Sequence, residues 1–580
     1  MSAPRFLALA GEPGRLRDLL ASLVPARDGA PRLDRRFDAA DLVLFASPET
    51  ALIPLEEERG VLVGRLYRPP PSSEPVAALD LLESRAAAWS GGRSLVEEKW
   101  GGYVAFLRDE GAVTIFRDPS GAVPVHHLGL DGVRAFFSHG ALAADLGLAV
   151  RGVDEAFLRQ WLTYPFLRTE RTGIEGVSEL LPGMSCRTVA GEARSQALWT
   201  PWTFTTPERR ILDFGEAAAK LRSVLLGTVR AQLRGMDPPI LELSGGLDSA
   251  IVAACLSSSG MAFSGANFVT RMADGDERDY ARILADALHI PLAELHEGDA
   301  PLTLEPSPPR SLRPPLSPVL QPLHRAFAHH ARAIGARTFV TGAGGDNLFC
   351  YLTTASPALD AASSAGLRQG LSTLADVAEL GGCTLWTAAA FAIRKRLGRH
   401  RRPAWKRDDR FLAPGAAAQA PDLHPWLDPP EKTLPGKREH VDSLVRLQHF
   451  VEDEFATGER LLHPLLSQPL MELCLSIPTW LWLEGGRNRA VARAAFADLL
   501  PEEIILRRTK GRLESMCARA FAANRERLAD LLLRGALAER GLLDQRSLAT
   551  YLAAPGPPQD EAYFRIFDLT ALELWLRSSV

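Results

Sequence analysis

The stretch Leu241–Ser249, which reads LELSGGLDS, decides the fold of the larger part of this chain. A short apolar run at Pro239–Leu243 leads into it, and the helical pattern Ala250–Leu256 follows it. A strand, a glycine turn and a helix start bring free backbone N–H groups and the positive end of a helix dipole to one point. The stretch therefore predicts an anion site between a strand and a helix.

The residue types within this stretch indicate which anion binds. Its two glycines allow the backbone to approach phosphate oxygens closely, and its two serines add hydroxyl donors. Asp248 would repel a phosphate unless Mg²⁺ lay between them, so this carboxylate indicates a magnesium–triphosphate complex. We predict that ATP and Mg²⁺ bind here, with Asp248 as a metal ligand. The predicted nucleotide contacts from this part of the chain are Leu243, Ser244, Gly245, Gly246, Asp248, Ser249 and Phe268.

The pattern of apolar residues divides the chain at about residue 205. Beyond it, strand patterns such as Ala262–Val269 and Arg337–Thr341 alternate with long helical patterns such as Phe214–Leu233. This alternation predicts an α/β domain, residues 206–580, with a parallel sheet covered by helices. Residues 1–205 contain a predicted helix at Ala77–Trp89 and short apolar runs between turns, so an α+β domain rich in strands is expected. Those runs are Phe6–Ala10, Leu42–Phe45, Gly60–Leu66, Tyr103–Leu107 and Val113–Phe116.

Composition excludes several classes of protein. The 580 residues carry a net charge of −4, with 46% hydrophobic and 23% charged residues, which is typical of a globular protein and unfavourable for nucleic-acid binding. No apolar run is long enough to span a membrane, and the six scattered cysteines form no metal-binding pattern. We therefore expect a cytoplasmic enzyme with reduced thiols. The dense basic run Arg394–Arg407 predicts a solvated insertion, with docking of an acidic peptide or partner protein as the alternative.

Several motifs resemble those of a known family. The SGGLDS loop resembles the SGGxDS loop of the ATP pyrophosphatases, which release pyrophosphate and leave AMP on a carboxylate. Four more segments occur in the order found in asparagine synthetases: DERDYA at Asp276–Ala281, TGAGGDNLF at Thr341–Phe349, RLLHPLLSQPL at Arg460–Leu470 and PEEIILRRTK at Pro501–Lys510. The chain is therefore identified as similar to the asparagine synthetase family.

The resemblance implies roles for further residues. Asp346 matches the aspartate that binds magnesium and pyrophosphate in the second glycine loop, where Gly344 and Gly345 are the matching glycines. The resemblance therefore implies that Gly344, Gly345 and Asp346 bind the nucleotide phosphates as well. Lys510 matches the lysine that balances negative charge on the acyl-adenylate and its tetrahedral intermediate. A cation at that point stabilises charge that grows in the transition state. The predicted catalytic residues are thus Lys510, Asp248 and Asp346, and the two aspartates are the predicted magnesium ligands.

The first half resembles a class II glutamine amidotransferase domain without glutaminase activity. The segment FRDPSGAVP at Phe116–Pro124 resembles the RDxxGxxP strand-turn of that domain, which implies an Ntn-type β-sandwich with helices. The working glutaminase uses an N-terminal cysteine, but position 2 is Ser2 and the first cysteine is Cys186. The glutamine-binding segment NGEIYN appears as VGRLYR, with Arg65 in place of the acid. We predict a degenerate domain, and a residual hydrolytic role of Ser2 is the alternative.

Two departures in the second half indicate a particular branch. Ala343 stands where asparagine synthetases carry Glu and β-lactam synthetases carry Tyr, residues thought to position or deprotonate the attacking amine, and alanine can do neither. Ser467 replaces the Asp of the family's RxPFLD segment. An adenylating enzyme without an ammonia source needs another nucleophile, and the lasso peptide cyclases fit this description.

That resemblance implies a reaction and its partners. A lasso cyclase adenylates an Asp or Glu side chain of a leader-cleaved precursor peptide, and the peptide's own N-terminal amine then closes the ring. A leader peptidase is the expected protein partner. Pro301–Pro322, expected to be an ordered loop, and residues 351–440 are expected to build part of a roomy peptide pocket. The alternatives are an ammonia-dependent asparagine synthetase, a β-lactam-forming synthetase, and a non-catalytic scaffold.

Overall fold

The computed structural model describes most of the chain. The described residues are 4–23, 32–145, 148, 152–272, 274–296, 304, 311–315, 318–398, 405–451, 460–508, 511, 514–556, 558 and 560–579.

The first half contains thirteen strands and five helices among these residues. The strands are β1 (Phe6–Gly11), β2 (Asp34–Asp38), β3 (Leu42–Ala46), β4 (Leu52–Pro54), β5 (Gly60–Tyr67), β6 (Pro75–Val76), β7 (Trp100–Asp109), β8 (Ala112–Arg117), β9 (His126–Leu130), β10 (Val133–Phe137), β11 (Val177–Glu179), β12 (Met184–Val189) and β13 (Glu192–Ala197). The helices are α1 (Pro13–Ser22), α2 (Leu81–Trp89), α3 (Arg93–Glu98), α4 (Gly140–Asp145) and α5 (Glu155–Thr163).

The second half is mainly helical. Its described strands are β14 (Ile240–Glu242), β15 (Ser264–Val269), β16 (Leu292–His296), β17 (Thr338–Val340), β18 (Arg460–Leu462), β19 (Leu483–Glu484) and β20 (Arg487–Asn488). Its described helices are α6 (Phe214–Leu233), α7 (Leu247–Ser258), α8 (Arg278–Leu288), α9 (Gln321–Ala333), α10 (Gly345–Leu348), α11 (Ser356–Ser364), α12 (Leu367–Leu380), α13 (Leu385–Leu397), α14 (Pro435–Leu447), α15 (Gln468–Ser476), α16 (Ala490–Ala495), α17 (Glu502–Ile505), α18 (Glu514–Leu533), α19 (Ala536–Glu539), α20 (Gln545–Ala553) and α21 (Ala562–Ser579).

Two antiparallel sheets form a sandwich in the first half. One has the order β11-β9-β10-β1-β3-β2, and the other has the order β13-β12-β8-β7-β5-β4, with β6 paired to β5. Alternate residues of a strand point to opposite faces. In β1, Phe6, Ala8 and Ala10 pack in the core between the sheets, and Phe6 meets Phe106 of β7 edge-to-face at 5.5 Å between ring centroids. The prediction of a strand-rich first half is confirmed.

Both outer faces of this sandwich are also buried. On the far side of β1, Leu7 and Leu9 share an apolar cluster with the C-terminal helices α18, α20 and α21. On the far side of β7, Tyr103 and Ala105 share another cluster with α6 and α7. The first half is therefore packed between two groups of elements from the second half. The boundary at residue 205 stays a prediction, and the apolar clusters run across it.

The second half contains the predicted parallel sheet. Its order is β16-β15-β14-β17-β18, and each neighbouring pair is parallel. The carboxyl ends of these strands meet at one edge, which is where open α/β sheets bind ligands. The loop after β14 and the loop after β17 both leave this edge, and they carry the two predicted glycine motifs.

Some sequence predictions need correction or lie outside the described residues. The helix expected at Ala77–Trp89 begins at Leu81, because Asp80 caps it: the Glu83 N–H donates to Asp80 Oδ1 at 2.8 Å and the Asp80 N–H donates to Glu83 Oε2 at 3.2 Å. The six cysteines are free thiols. Half of Pro301–Pro322 and residues 399–404 of the basic run lie outside the described residues. Among the described helices, none has the length and hydropathy that a bilayer span requires.

Candidate active site

The first glycine loop follows β14 and starts α7. Gly245 has φ +67°, and a side chain there would place its Cβ 2.5 Å from Cβ of Tyr280 on α8, so only glycine fits. Ser244 Oγ and Ser249 Oγ lie 3.1 Å apart, and Ser249 Oγ donates to the Gly246 carbonyl at 3.2 Å. These hydrogen bonds hold the loop in its turn while the first N–H groups of α7 remain at its mouth.

The second glycine loop packs directly on the first. A Cβ on Gly342 would lie 2.6 Å from the Ser249 nitrogen, and a Cβ on Gly345 would lie 2.3 Å from Asp248 Cγ. Gly344 has φ +90°, and a Cβ on it would lie 2.5 Å from Leu466 Cδ2. Glycines at these positions therefore let two loops approach each other. The approach brings together Asp248 and Asp346, which are about one hundred residues apart in the chain.

Arg489 bridges the two predicted magnesium ligands. Its Nη1 atom donates to Asp248 Oδ1 at 2.9 Å and to Asp346 Oδ1 at 2.6 Å. Burial acts to lower the pKa of Arg489, but the two carboxylates raise it above the ordinary value. The residue adopts φ +55° and its guanidinium lies 5.5 Å from the ring centroid of Tyr351. A cation thus lies between the two carboxylates in the structure.

The segment around residue 507 forms a further wall of the site. Arg507 Nη2 contacts Glu277 Oε1 at 2.7 Å, and Arg507 Nη1 donates to the Gly245 carbonyl at 2.9 Å. The same guanidinium lies 3.8 Å from the ring centroid of Tyr280, and the Gly511 N–H donates to Glu277 Oε1 at 3.0 Å. These contacts attach the segment to the start of α8 and to the first glycine loop. Lys510 itself lies outside the described residues.

The loops enclose a cleft of about 320 Å³. Of the predicted nucleotide contacts, six line it directly: Leu243, Ser244, Gly246, Asp248, Ser249 and Phe268. Gly245 shapes the same loop through its carbonyl, and Gly344, Gly345 and Asp346 lie on the neighbouring loop. The structure therefore brings together every described residue of the predicted site.

Several residues of this cleft carry no sequence motif that identifies them. Arg489, Arg493 and Arg507 line it, and none was singled out as functional. Arg489 directly precedes α16, and Arg493 lies four residues later within that helix, a spacing that in a helix places two side chains on one face. That spacing was the available signal, but nothing in it indicated a partner more than two hundred residues away in sequence.

The residues present fit magnesium and ATP. Two carboxylates that converge from separate loops supply the oxygen ligands that Mg²⁺ prefers. The loop glycines leave space that a Cβ would fill, at a helix start suited to phosphate. On the opposite wall, Asn267 donates through Nδ2 to the Leu243 carbonyl at 2.7 Å, while its buried Oδ1 has no hydrogen-bond partner among the described residues. That oxygen suits an amino group such as the one on adenine.

A second cavity lies where the two halves meet. It has a volume of about 120 Å³ and is lined by residues of the FRDPSGAVP segment, by Arg65 and by Ser467. These last two are positions where the sequence departs from the family motifs by losing an acid. The structure therefore places both losses in one cavity. Ser2 lies outside the described residues.

The two cavities share a wall. His463 and Leu466 line the second cavity, His463 Nδ1 lies 2.9 Å from Thr341 Oγ1, and that oxygen accepts from the Ala343 N–H at 3.1 Å. Ala343 also lines the nucleotide cleft. One short segment therefore separates the second cavity from the second glycine loop.

Comparison with known proteins gives one family and a few similar proteins. The asparagine synthase family model matches residues 220–577. A carboxyethyl-arginine beta-lactam-synthase from Streptomyces clavuligerus is 30% identical over 257 residues, which cover 41% of this chain and 42% of that protein.

Two solved structures are similar at low identity. The allosteric regulatory enzyme of purine biosynthesis aligns at 11% identity and a TM-score of 0.21, over 58% of this chain and 89% of that one. Glutamine phosphoribosylpyrophosphate amidotransferase from B. subtilis, complexed with ADP and GMP, aligns at 11% identity and a TM-score of 0.20. The alignment covers 59% of this chain and 77% of that one. At TM-scores this low, the two likenesses carry no conclusion about this chain.

Proposed function

The chain belongs to the asparagine synthase family, and from that premise we propose that it is an ATP-dependent, AMP-forming carbon–nitrogen ligase. The observation that carries the proposal is the packing of the two glycine loops, which brings Asp248 and Asp346 to one cation beside a helix start. Such a site suits the triphosphate of ATP with its magnesium. The finer proposal is that the enzyme is a lasso peptide cyclase.

The proposed reaction has two steps. A side-chain carboxylate of the peptide attacks the α-phosphorus of ATP, the bond between the α-phosphorus and its bridging oxygen breaks, and pyrophosphate leaves. The N-terminal amine of the same peptide then attacks the activated carbonyl, loses a proton, and displaces AMP. The peptide thereby loses the elements of one water molecule and gains an amide bond.

The residues of the chain have distinct tasks in these steps. The loop backbone and the arginines that line the cleft bind and orient the phosphates, and Asp248 and Asp346 would hold the magnesium that neutralises them. Lys510 remains the proposed cation for the charge that develops on the acyl group. Ala343 supplies no base to the cleft, which supports a nucleophile positioned by its own chain. A tethered amine reacts with a large effective concentration and needs less help from the enzyme.

A β-lactam-forming ligase is a second candidate. It is favoured by the similarity to the carboxyethyl-arginine beta-lactam-synthase, although the matched part is 42% of that protein. Both candidate enzymes would form an amide bond within a single substrate molecule, and they differ in the size of that substrate. By the same reasoning, a leader peptidase is the proposed partner only for the cyclase.

The two candidates are separated by mass spectrometry. The purified chain is incubated with Mg–ATP and either the leader-free peptide from a small reading frame beside its gene or carboxyethyl-arginine. The cyclase predicts loss of one water from the peptide, and tandem fragmentation shows no cleavage within the ring. Water loss from carboxyethyl-arginine alone would favour the second candidate. AMP formation only with aspartate and ammonium would contradict both.

A further inference from the structure

Two neighbouring helices expose large apolar side chains to solvent. On α13, Trp386 is 84% exposed and Leu397 is 77% exposed, and on α12, Leu367 is 78% exposed. The complete set, named here the 367–397 surface, is Leu367, Leu371, Leu385, Trp386, Phe391, Ile393 and Leu397. Large apolar residues exposed together on neighbouring helices mark a binding surface more often than single ones do.

The packing of α13 is the reverse of that in an ordinary surface helix. Its buried residues are Ala388 and Ala392, which are small, while the large residues point outwards. Trp386, Ile393 and Leu397 are spaced seven and four residues apart and therefore lie on one helix face. That face is about 16 Å long, which matches roughly five residues of extended peptide.

The charges on α13 are of one sign. Helix α13 contains no acidic residue, and Arg394 and Arg396 are exposed beside its apolar face. Lys395 is paired with Glu439 of α14. The surface therefore complements a ligand that combines carboxylates with large apolar side chains.

The acidic residues of α12 connect this surface to the nucleotide cleft. Glu379 contacts Arg508 Nη1 at 3.1 Å, and Asp376 accepts the Gly486 N–H at 3.1 Å. Arg508 follows Arg507 of the cleft wall, and the β19–β20 hairpin that contains Gly486 leads into Arg489. The helix that carries part of the 367–397 surface thus contacts two segments that adjoin cleft residues, Arg507 and Arg489.

We propose that the 367–397 surface binds a segment of the peptide substrate that is both acidic and apolar, and so holds it beside the cleft. This inference rests on the proposed function, because a peptide reaches this surface only if a peptide carboxylate is the substrate. The contacts between α12 and the cleft favour a substrate segment over a lipid surface, which would have no reason to adjoin the site of adenylation.

The test measures binding without turnover. The probe is a fluorescein-labelled synthetic peptide that alternates leucine or phenylalanine with glutamate, and fluorescence anisotropy reports its binding to the full chain in the absence of ATP. We expect Trp386→Glu/Ile393→Glu to weaken binding by at least about tenfold, because large exposed side chains such as tryptophan contribute most of the binding energy at such surfaces. We expect Arg394→Glu/Arg396→Glu to weaken it by a similar factor, with less dependence on salt.

Matched controls separate this surface from general effects. Leu82→Glu alters a leucine on α2 that is 75% exposed, and Arg187→Glu alters an exposed arginine of β12, so both should bind the probe as the unmodified chain does. All substituted residues are exposed, and thermal unfolding confirms that each variant is folded. Equal binding by the surface variants and the controls would overturn the proposal. Absence of probe binding to the unmodified chain would overturn it as well.

Two further measurements distinguish the remaining outcomes. In the first, vesicles of anionic phosphatidylglycerol replace the probe. If the chain bound these vesicles through the 367–397 surface and did not bind the peptide, the surface would be assigned to a membrane and the proposal would be overturned. Water loss from the leader-free peptide is then followed in the same variants. A KM for that peptide unchanged by Trp386→Glu/Ile393→Glu would reject the docking surface and leave the cyclase standing. Probe binding that needs the surface, without water loss, would reject the cyclase alone.

Discussion

Gly345 shows why a single residue type is required at the centre of the site. The sequence predicts close approach to phosphate, and the structure adds a second reason, since a Cβ at this position would overlap Asp248. The glycine is needed for contact between two loops, and its own backbone is not in the left-handed region.

The first prediction follows from this contact. Gly345→Ala should push Asp248 away from Asp346, because the new methyl group cannot fit, and displacement of reacting groups by about 1 Å can cost roughly 100-fold in rate. We expect AMP formation to fall by about that factor and the free energy of unfolding to fall by about 1–3 kcal/mol. Gly14→Ala is the control, since a Cβ there meets nothing within 4 Å. Unchanged AMP formation in Gly345→Ala would contradict the loop contact.

The second prediction concerns Arg489. Replacement by methionine removes the cation between the carboxylates, and loss of one such electrostatic contact costs about 100-fold in turnover. Arg489→Met should therefore reduce AMP formation by about that factor, and Arg489→Lys should restore part of it. Arg487→Met, two residues earlier on β20, is the matched control. If both methionine variants formed AMP equally fast, the bridging role of Arg489 would be wrong.

At the scale of elements, three arginines from separate segments meet on one carboxylate. Glu179 at the end of β11 is fully buried and contacts Arg117 at 2.9 Å, Arg168 at 2.7 Å and Arg313 at 2.9 Å. Burial alone would raise the pKa of Glu179, but the charges of Arg168, Arg313 and Arg117 hold it well below its ordinary value. Since Arg313 belongs to the second half, this cluster fastens the two halves together.

The third prediction is a dependence of stability on pH. A carboxylate with a lowered pKa stabilises the fold above its unfolded pKa of 4.5, and this contribution is lost as the pH falls further. Glu179→Gln should therefore cost about 3 kcal/mol at pH 7, because it leaves buried arginines without their counter-charge. The deficit should shrink below about pH 4.5. Urea unfolding at several pH values measures it, with exposed Glu175→Gln as control, and a deficit independent of pH would contradict the account.

The elements could be predicted well where their signals are local. The runs at Phe6–Ala10 and Phe214–Leu233 became a strand and a helix because apolar period and turn residues act within a few positions. Asp248 and Asp346 could be found because each belongs to a glycine loop with its own chemistry. Arg489 could not, because its partners lie in distant segments and its own neighbours carry no motif.

At the scale of the molecule, the first half serves as a structural core for the second half. Both faces of its sandwich pack on elements of the second half, through the clusters that join β1 to α21 and β7 to α6. The first half is therefore needed for the packing of the second half.

The fourth prediction tests this dependence. The fragment 206–580 should not fold, because it would expose the apolar surfaces of α6 and α21 that the sandwich covers. Circular dichroism and urea unfolding of the purified fragment should show no cooperative transition, with the full chain at the same concentration as reference. A cooperative transition in the fragment would show that the two halves are independent.

The central claim is that a peptide carboxylate is activated as an adenylate in the cleft, and transfer of oxygen-18 tests it most directly. The leader-free peptide is prepared with oxygen-18 in its side-chain carboxylates and incubated with Mg–ATP. We predict AMP that carries one atom of the label, a cyclised peptide that has lost one, and neither product with Asp248→Ala. Release of ADP and labelled phosphate, or of AMP without label, would contradict the account.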